Sequence, residues 1–152
     1  MSADALLSAV LWTIFTIIVS QLVSVAVMWW LGLPPGKLIH EIEDVQNIAV
    51  GAIFFIVSIT AAFFIGFMAT SGFSPDPTFV ESAAWIVGGV LLAIVFTAVN
   101  FWVAHRVFKP LPGEGVYGYM RREIVLEQNG ALAFFLGGLA VVPFIAVVFQ
   151  LL

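Results

Sequence analysis

The sequence predicts an all-α integral membrane protein: four transmembrane helices in two parallel two-helix repeats. Three observations predict it. The first is composition: of 152 residues, 62% are hydrophobic and 9% charged, and the mean hydropathy is +1.16. Soluble domains carry about 25% charged residues, and a water-soluble chain of this length could not hide so much apolar surface. The second is that the apolar residues fall into four long runs. The third is a repeated hinge. Glu41-Ile42 followed by Gln46-Asn47-x-Ala49 opens one run, and Glu123-Ile124 followed by Gln128-Asn129-x-Ala131 opens another, with the same internal spacing. Pro35-Gly36 precedes one copy and Pro112-Gly113 the other. The chain thus divides into a first two-span unit, residues 1–70, and a second, residues 71–152, within one membrane domain.

Span one covers about residues 6–33 and stops at Pro34-Pro35-Gly36. The stretch before it holds Asp4 and no Lys or Arg through Trp12, so it lacks the basic start of a signal peptide and is expected to remain as a span. Span two covers about residues 47–70, span three about 83–108, ending at Lys109-Pro110, and span four about 129–152. Each exceeds the roughly 20 residues needed to cross a hydrocarbon core at 1.5 Å per residue. Backbone polar groups in lipid must pair within their own segment, and the runs lack the alternation of a barrel strand, so helices are required.

The hinges have their own pattern. Leu38, Ile39, Ile42 and Val45 share one helical face, while Lys37, Glu41 and Asp44 lie on another. Tyr117, Met120 and Ile124 line up similarly, away from Arg121, Arg122 and Glu127. Each hinge is expected to form a short amphipathic helix on the inner membrane surface, the alternative being a helix that runs straight out of the bilayer. Ser74-Pro75-Asp76-Pro77 is turn chemistry.

The five basic residues are Lys37, Arg106, Lys109, Arg121 and Arg122, all in or beside the two hinges. The positive-inside rule then places both hinges in the cytoplasm and both termini outside. Trp29, Trp30 and Trp102 fall at the inner boundary and Trp85 at the outer one, where indoles favour the interface. With two spans per unit, both units enter the membrane in the same direction, giving parallel repeats about a pseudo-two-fold axis along the membrane normal. Inverted repeats common among transporters are excluded.

The spans hold no Asp, Glu, Lys or Arg at depth, which argues against a proton-coupled pump. Small residues recur instead: Ser20 and Ser24 in span one, Ser58 and Ala62 in span two, Ala93 and Thr97 in span three, Ala133 and Gly137 in span four. Such stripes let helices approach and bond weakly. Gln21 and Asn100, at similar depth in spans one and three, are expected to pair with each other, as interhelical glue or as a small polar site. Spans two and four are expected to meet through Gly51 and Ser58 against Ala133 and Ala140.

Asn47 and Asn129 stand where the hinges enter the spans. Two readings fit them. Each is an N-cap, or the two face each other in a polar cluster with Gln46, Gln128, Glu41 and Glu123. His40 and His105 are expected to be independent interfacial residues, so no metal or cofactor is expected. The chain has no cysteine, and no nucleophile–base motif or phosphate loop is present, so an enzyme is not expected. The net charge of −4 and pI near 4.9 argue against a nucleic-acid partner. The expected partners are the lipid bilayer and a second copy or other subunit of a membrane complex. The expected role is an oligomerising scaffold or accessory subunit, with a small oligomeric channel or transporter as the alternative.

The hinge pattern, an acidic residue and Ile followed by Gln-Asn-x-Ala and a Gly- and Ala-rich run, resembles the domain-of-unknown-function 350 family of small bacterial membrane proteins. Glu41, Asn47, Ala49, Glu123, Asn129 and Ala131 carry the resemblance, which spans about residues 6–152. It implies two tandem two-span units in a bacterial inner membrane and no established activity. Gln46 and Gln128 stand where the resemblance implies Gly, and span four lacks polar side chains until Gln150.

Overall fold

Four helices long and apolar enough to cross a membrane carry the fold, as the composition requires. The structure is a computed structural model and describes residues 3–70, 78–108 and 110–151. The turn at Ser74–Pro77 and Lys109 lie outside the described residues. In chain order the elements are α1 (Ala3–Trp30), α2 (Pro35–Glu43), α3 (Ile48–Thr70), α4 (Phe79–Val107), α5 (Val116–Arg121), a π-helical turn (Arg122–Leu126) and α6 (Gly130–Leu151). No strand occurs among the described residues. The chain is a multi-pass membrane protein by the length and hydropathy of α1, α3, α4 and α6.

The helix boundaries have local causes. Pro34 and Pro35 start α2, since Pro suits a first turn whose N–H groups are unpaired in any case. Gly32 and Gly113, with φ of 88° and 79°, turn the chain after the first and third spans. Thr78 caps α4 in a reciprocal box: its hydroxyl accepts from the Glu81 amide, and the Glu81 carboxylate accepts from the Thr78 amide. Those bonds to Thr78 hold the Glu81 carboxyl below its ordinary pKa.

α3 and α6 form the central pair. α1 lies along α3, while α4 lies along α6 and touches α3 more lightly; among the described residues α1 meets neither α4 nor α6. Small residues set the close approaches. A Cβ added at Gly137 of α6 would overlap Ile56 Cδ1 of α3 and lie 3.2 Å from its Cγ2. One added at Gly130 would rest 3.5 Å from Ile48, and one at Gly89 of α4 would meet Phe64 at 2.9 Å. The α3–α6 contact therefore runs through Gly130 and Gly137. Gly51 has no neighbour where its Cβ would stand, and Ser58 is turned to α1, contrary to the register expected above. Two of four contact residues, Ala133 and Ala140, do lie on protein-facing sides of α6: Ala133 is fully buried, and the Ala140 carbonyl accepts a bond from Thr97 of α4.

Two apolar clusters result. The larger sits at the hinge end and joins Met28, Leu31 and Leu33 to Val50 and Ile53 of α3 and to Leu132 and Leu136 of α6. The smaller, at the opposite end, joins Phe64 and Met68 to Ala93, Val147 and Val148, and Val90 packs against it. Among the described residues α1 contributes nothing to the second cluster, and none of its residues before Ser20 is buried.

Polar groups within the spans are tied to this packing. The Ser24 hydroxyl donates to the Ser20 carbonyl at 2.9 Å, so Ser58 is the donor in the 2.8 Å contact that joins α3 to α1. Asn100 Nδ2 donates to the Leu139 carbonyl at 3.1 Å, joining α4 to α6. The expected Gln21–Asn100 pair does not form within the chain. Gln21 is exposed on α1, and Asn100 is engaged on α6, because α1 and α4 stand on opposite sides of the central pair.

Candidate functional site

The polar residues of the hinges gather at one end of the bundle, and both hinges build the same local device. At the end of α2, Gln46 takes a left-handed backbone with φ of 57°, which folds the Asn47 N–H back onto the Glu41 carbonyl at 2.9 Å. Gln128, with φ of 54°, does the same for Asn129 and Glu123 at 2.8 Å. Left-handed backbone is where glycine would be least strained, so the two glutamines occupy positions that a glycine would suit.

The asparagine side chains complete the device. Asn47 Oδ1 accepts the Val50 amide at 3.2 Å, and Asn129 Oδ1 accepts the Leu132 amide at 3.1 Å, so each is the N-cap of the following span. Asn47 Nδ2 donates to Glu41 Oε2 at 3.0 Å, and Asn129 Nδ2 to Glu123 Oε2 at 2.9 Å. The cap reading therefore holds in both hinges. The cluster reading holds in part. Asn47 is 2% exposed and reaches the second hinge through the carbonyls of Ile124 and Val125, at 3.3 and 3.4 Å. It does not meet Asn129 itself. Gln46 and Gln128 are exposed and act through their backbone, so neither side chain belongs to the cluster.

Around Glu123 lies a charge network that the sequence pattern did not single out. The Arg122 guanidinium holds Glu114 with two bonds, Nε to Oε1 at 2.9 Å and Nη2 to Oε2 at 3.1 Å. Its Nη1 serves Glu123 at 2.9 Å and also Glu127. Glu114 accepts the Leu111 amide as well, at 3.0 Å, and its backbone carbonyl meets His105 Nε2 at 2.9 Å. The Arg122 bonds, and then the Leu111 amide, keep the Glu114 carboxyl below the ordinary carboxylate range, while the two carboxylate bonds from Glu114 and Glu127 hold the Arg122 guanidinium firmly protonated. Arg122 also lies over the Tyr119 ring, 5.5 Å from its centroid. Burial, then the nearby Glu123, pushes the Tyr119 hydroxyl up. The one legible signal was the density of acids around Arg122 in a short hinge.

The hinges are packed against the bundle rather than lying apart from it. Leu38, Met120 and Ile124 enter the larger apolar cluster, while Ile39, Ile42 and Tyr117 remain exposed. Tyr117 donates its hydroxyl to the Trp30 carbonyl at 2.9 Å, satisfying a free carbonyl at the end of α1, and its ring leans on Trp30. The Arg121 side chain lies over the Gly32 turn, where an added Cβ would come within 3.0 Å of its Nε. Among the described residues the His40 ring bonds Asp44, at 2.7 Å and exposed, and the two histidines do not converge. Among the described residues no group of His, Cys, Asp or Glu is placed to hold a metal ion. Chemically, the arrangement is a set of reciprocal caps and ion pairs that fixes the hinges to the helix ends. Compared with known protein families, curated proteins and solved structures, the chain matches none.

Proposed function

We propose that this multi-pass membrane protein is a non-enzymatic component of the bacterial inner membrane, an oligomerising scaffold or accessory subunit whose cytoplasmic hinges bind a partner. One observation carries the reading: Ser24, Ser58, Thr97 and Asn100, polar side chains within the spans, are bonded to neighbouring helices or to their own backbone. Groups engaged in this way hold a bundle together and are not free to conduct a substrate. The hinge network supports the second half of the proposal, since the largely buried Arg122, Glu114 and Glu123 fix the second hinge and hold Glu127 exposed at one end of the helices.

Orientation and repeat symmetry belong to the same proposal. The basic residues at the hinge end support a cytoplasmic placement, with both termini outside. The matching caps at Asn47 and Asn129, with α1 on α3 and α4 on α6, support parallel repeats about an axis between α3 and α6. The same caps support kinship with the domain-of-unknown-function 350 family.

The test is purification in mild detergent, followed by reconstitution. A defined oligomer or a stoichiometric partner, with no ion flux in liposomes of the pure protein, is the expected result. Flux through the pure protein would establish the channel alternative, and a solitary monomer without partners would remove the scaffold reading.

A further inference from the structure

Gln21 of α1 is a polar side chain deep in a span that makes no bond among the described residues. Gln21 lies nine residues before Trp30, the last residue of α1. At 1.5 Å per residue that is about 14 Å from the helix end, near the middle of a hydrocarbon core about 30 Å thick. Its side chain is exposed and has no bonding partner among the described residues. Among the described residues nothing from α4 or α6 stands near it: α1 runs along α3, and meets α2 and Tyr117 of α5 only at its hinge end. Gln is too short to reach the interface as Lys and Arg do. An amide left facing lipid at this depth loses its water without gaining a bond, which is costly.

Gln21, and not apolar spacing, marks the face. Leu7, Leu11, Ile14, Ile18 and Val25 share that face at the alternating three- and four-residue steps of a heptad, which ends at Val25 because the next step, Met28, is buried in the chain's own core. Leu7, Leu11, Ile14 and Ile18 are each about half exposed or more. Gln21 occupies one of the seam's two core positions, where a single polar residue fixes register and oligomer state. Before Ser20, Trp12, Thr16 and Val19 are half-buried, while Leu7, Leu11, Ile14 and Ile18 are exposed, which leaves that side of the helix room for another.

We infer that α1 is the interface of a parallel homodimer, centred on a Gln21–Gln21 contact between two copies of this chain. The amide decides the occupant. It carries both a donor and an acceptor, so two copies related by a two-fold axis along the membrane normal form two reciprocal N–H···O bonds. Two chains inserted in the same direction bring Gln21 to Gln21 at one depth. The seam then supplies close packing, and the amides supply orientation and register. The inference rests on the oligomerising reading proposed above and gives that oligomer its contact.

The full-length chain in lipid vesicles tests it. Dimer fraction is followed by energy transfer between labelled copies as protein is diluted in lipid, with the dye on a cysteine placed at exposed Val95 of α4. Gln21→Leu should raise the dissociation constant about tenfold, or about 1.4 kcal/mol, while Gln21→Asn should retain most of the affinity. Because Gln21 is exposed within its own chain, both variants should match the wild-type unfolding temperature at dilutions where all three are monomeric. Separately, Ile14→Cys and Ile18→Cys in the otherwise native chain should form disulfide-linked dimers rapidly, and Val95→Cys should not. A dimer that ignores Gln21→Leu and fails to cross-link through Ile14 or Ile18 would overturn the inference while leaving the scaffold reading intact. A monomer at every dilution would overturn both.

Discussion

Asn100 and Pro143 make a prediction that separates a structural amide from an incidental one. In an unbroken helix the N–H of residue 143 would donate to the carbonyl of Leu139. Pro143, inside α6, has no N–H. In the structure Asn100 Nδ2 of α4 donates to that same carbonyl at 3.1 Å, and Thr97 supports the next carbonyl, Ala140, at 3.4 Å. The perturbation is Asn100→Leu, which keeps the branching at Cγ and removes the donor. Leaving a buried acceptor unpaired costs about 1–3 kcal/mol, whereas interhelical bonds in membrane proteins average about 0.6 kcal/mol and reach about 1.7. This carbonyl has no donor in its own helix, so the upper part of the membrane range applies, about 1.5 kcal/mol. In a Pro143→Ala background the helix supplies its own N–H, and the cost of Asn100→Leu should fall to about 0.5 kcal/mol, a coupling of about 1 kcal/mol. Reversible unfolding in bicelles on a titration with dodecyl sulfate measures all four corners of the cycle. Strict additivity would refute the argument, because it would mean that the amide serves something other than the carbonyl freed by Pro143.

Three further outcomes follow from the geometry. Gly137→Ala places a methyl against Ile56, while Gly138→Ala meets nothing within 4 Å, so unfolding should show Gly137→Ala the less stable by about 1–3 kcal/mol, with Ile56→Val narrowing the gap; equal stabilities would mean that α3 and α6 are further apart than described. Asn47→Asp keeps a good cap but turns a donor into an anion facing Glu41 and two carbonyls, so its melting temperature should drop more than that of Asn129→Asp, whose neighbour Glu123 is already held by Arg122. Glu114 has a folded-state pKa below its unfolded value of about 4.3, so the stability it contributes is complete above that value and is lost as pH falls through the lower one. Melting scans should be flat from about pH 7 to 5 and decline below about 4, and Glu114→Gln should flatten that decline; an unchanged acid limb would remove Glu114 as its source.

The four spans were legible because lipid imposes one solution on a long apolar run: a helix that pairs its own backbone. The cap role of Asn47 and Asn129 was legible for a similar reason, since the residue type and its place before an apolar run state a local geometry. Contacts between helices were less so. Ser58 and Gly51 lie on one sequence stripe with suitable spacing, yet Ser58 faces α1 and Gly51 faces open space. In a membrane helix apolar residues surround every face, so periodicity does not mark which side meets protein. Depth was equally insufficient for Gln21 and Asn100. Their similar distance from the hinge says nothing of rotation about the axis, and the donor-poor site that Asn100 fills is set by a proline forty-three positions later. The Arg122 network depends on a turn that brings Glu114 back over the hinge, which no spacing rule encodes.

Two copies of one motif do not have one role, and the difference lies in their surroundings. Asn129 caps α6 and bonds Glu123, and its contacts end within its own hinge. Asn47 does the same for α3 and Glu41, then extends to the carbonyls of Ile124 and Val125. Those carbonyls end the π-helical turn and so belong to the group a helix leaves unpaired at its C-terminus. One side chain thus serves the start of α3 and the end of the second hinge. An amide suits both tasks, because its oxygen accepts while its nitrogen carries two hydrogens, enough for Glu41 and for the second hinge. Ser can accept and donate together but has a single hydrogen on a shorter side chain, and Asp would lose the donor altogether. The position that Arg122 holds in the second hinge is His40 in the first, where it bonds an exposed Asp44 and no buried carboxylate. Glu41 therefore depends on Asn47 among the bonds described, whereas Glu123 has Arg122 as well. The first hinge is fixed by an amide and the second by a charge network. Among the described residues, the hydrogen bonds that join one hinge to the other come from Asn47.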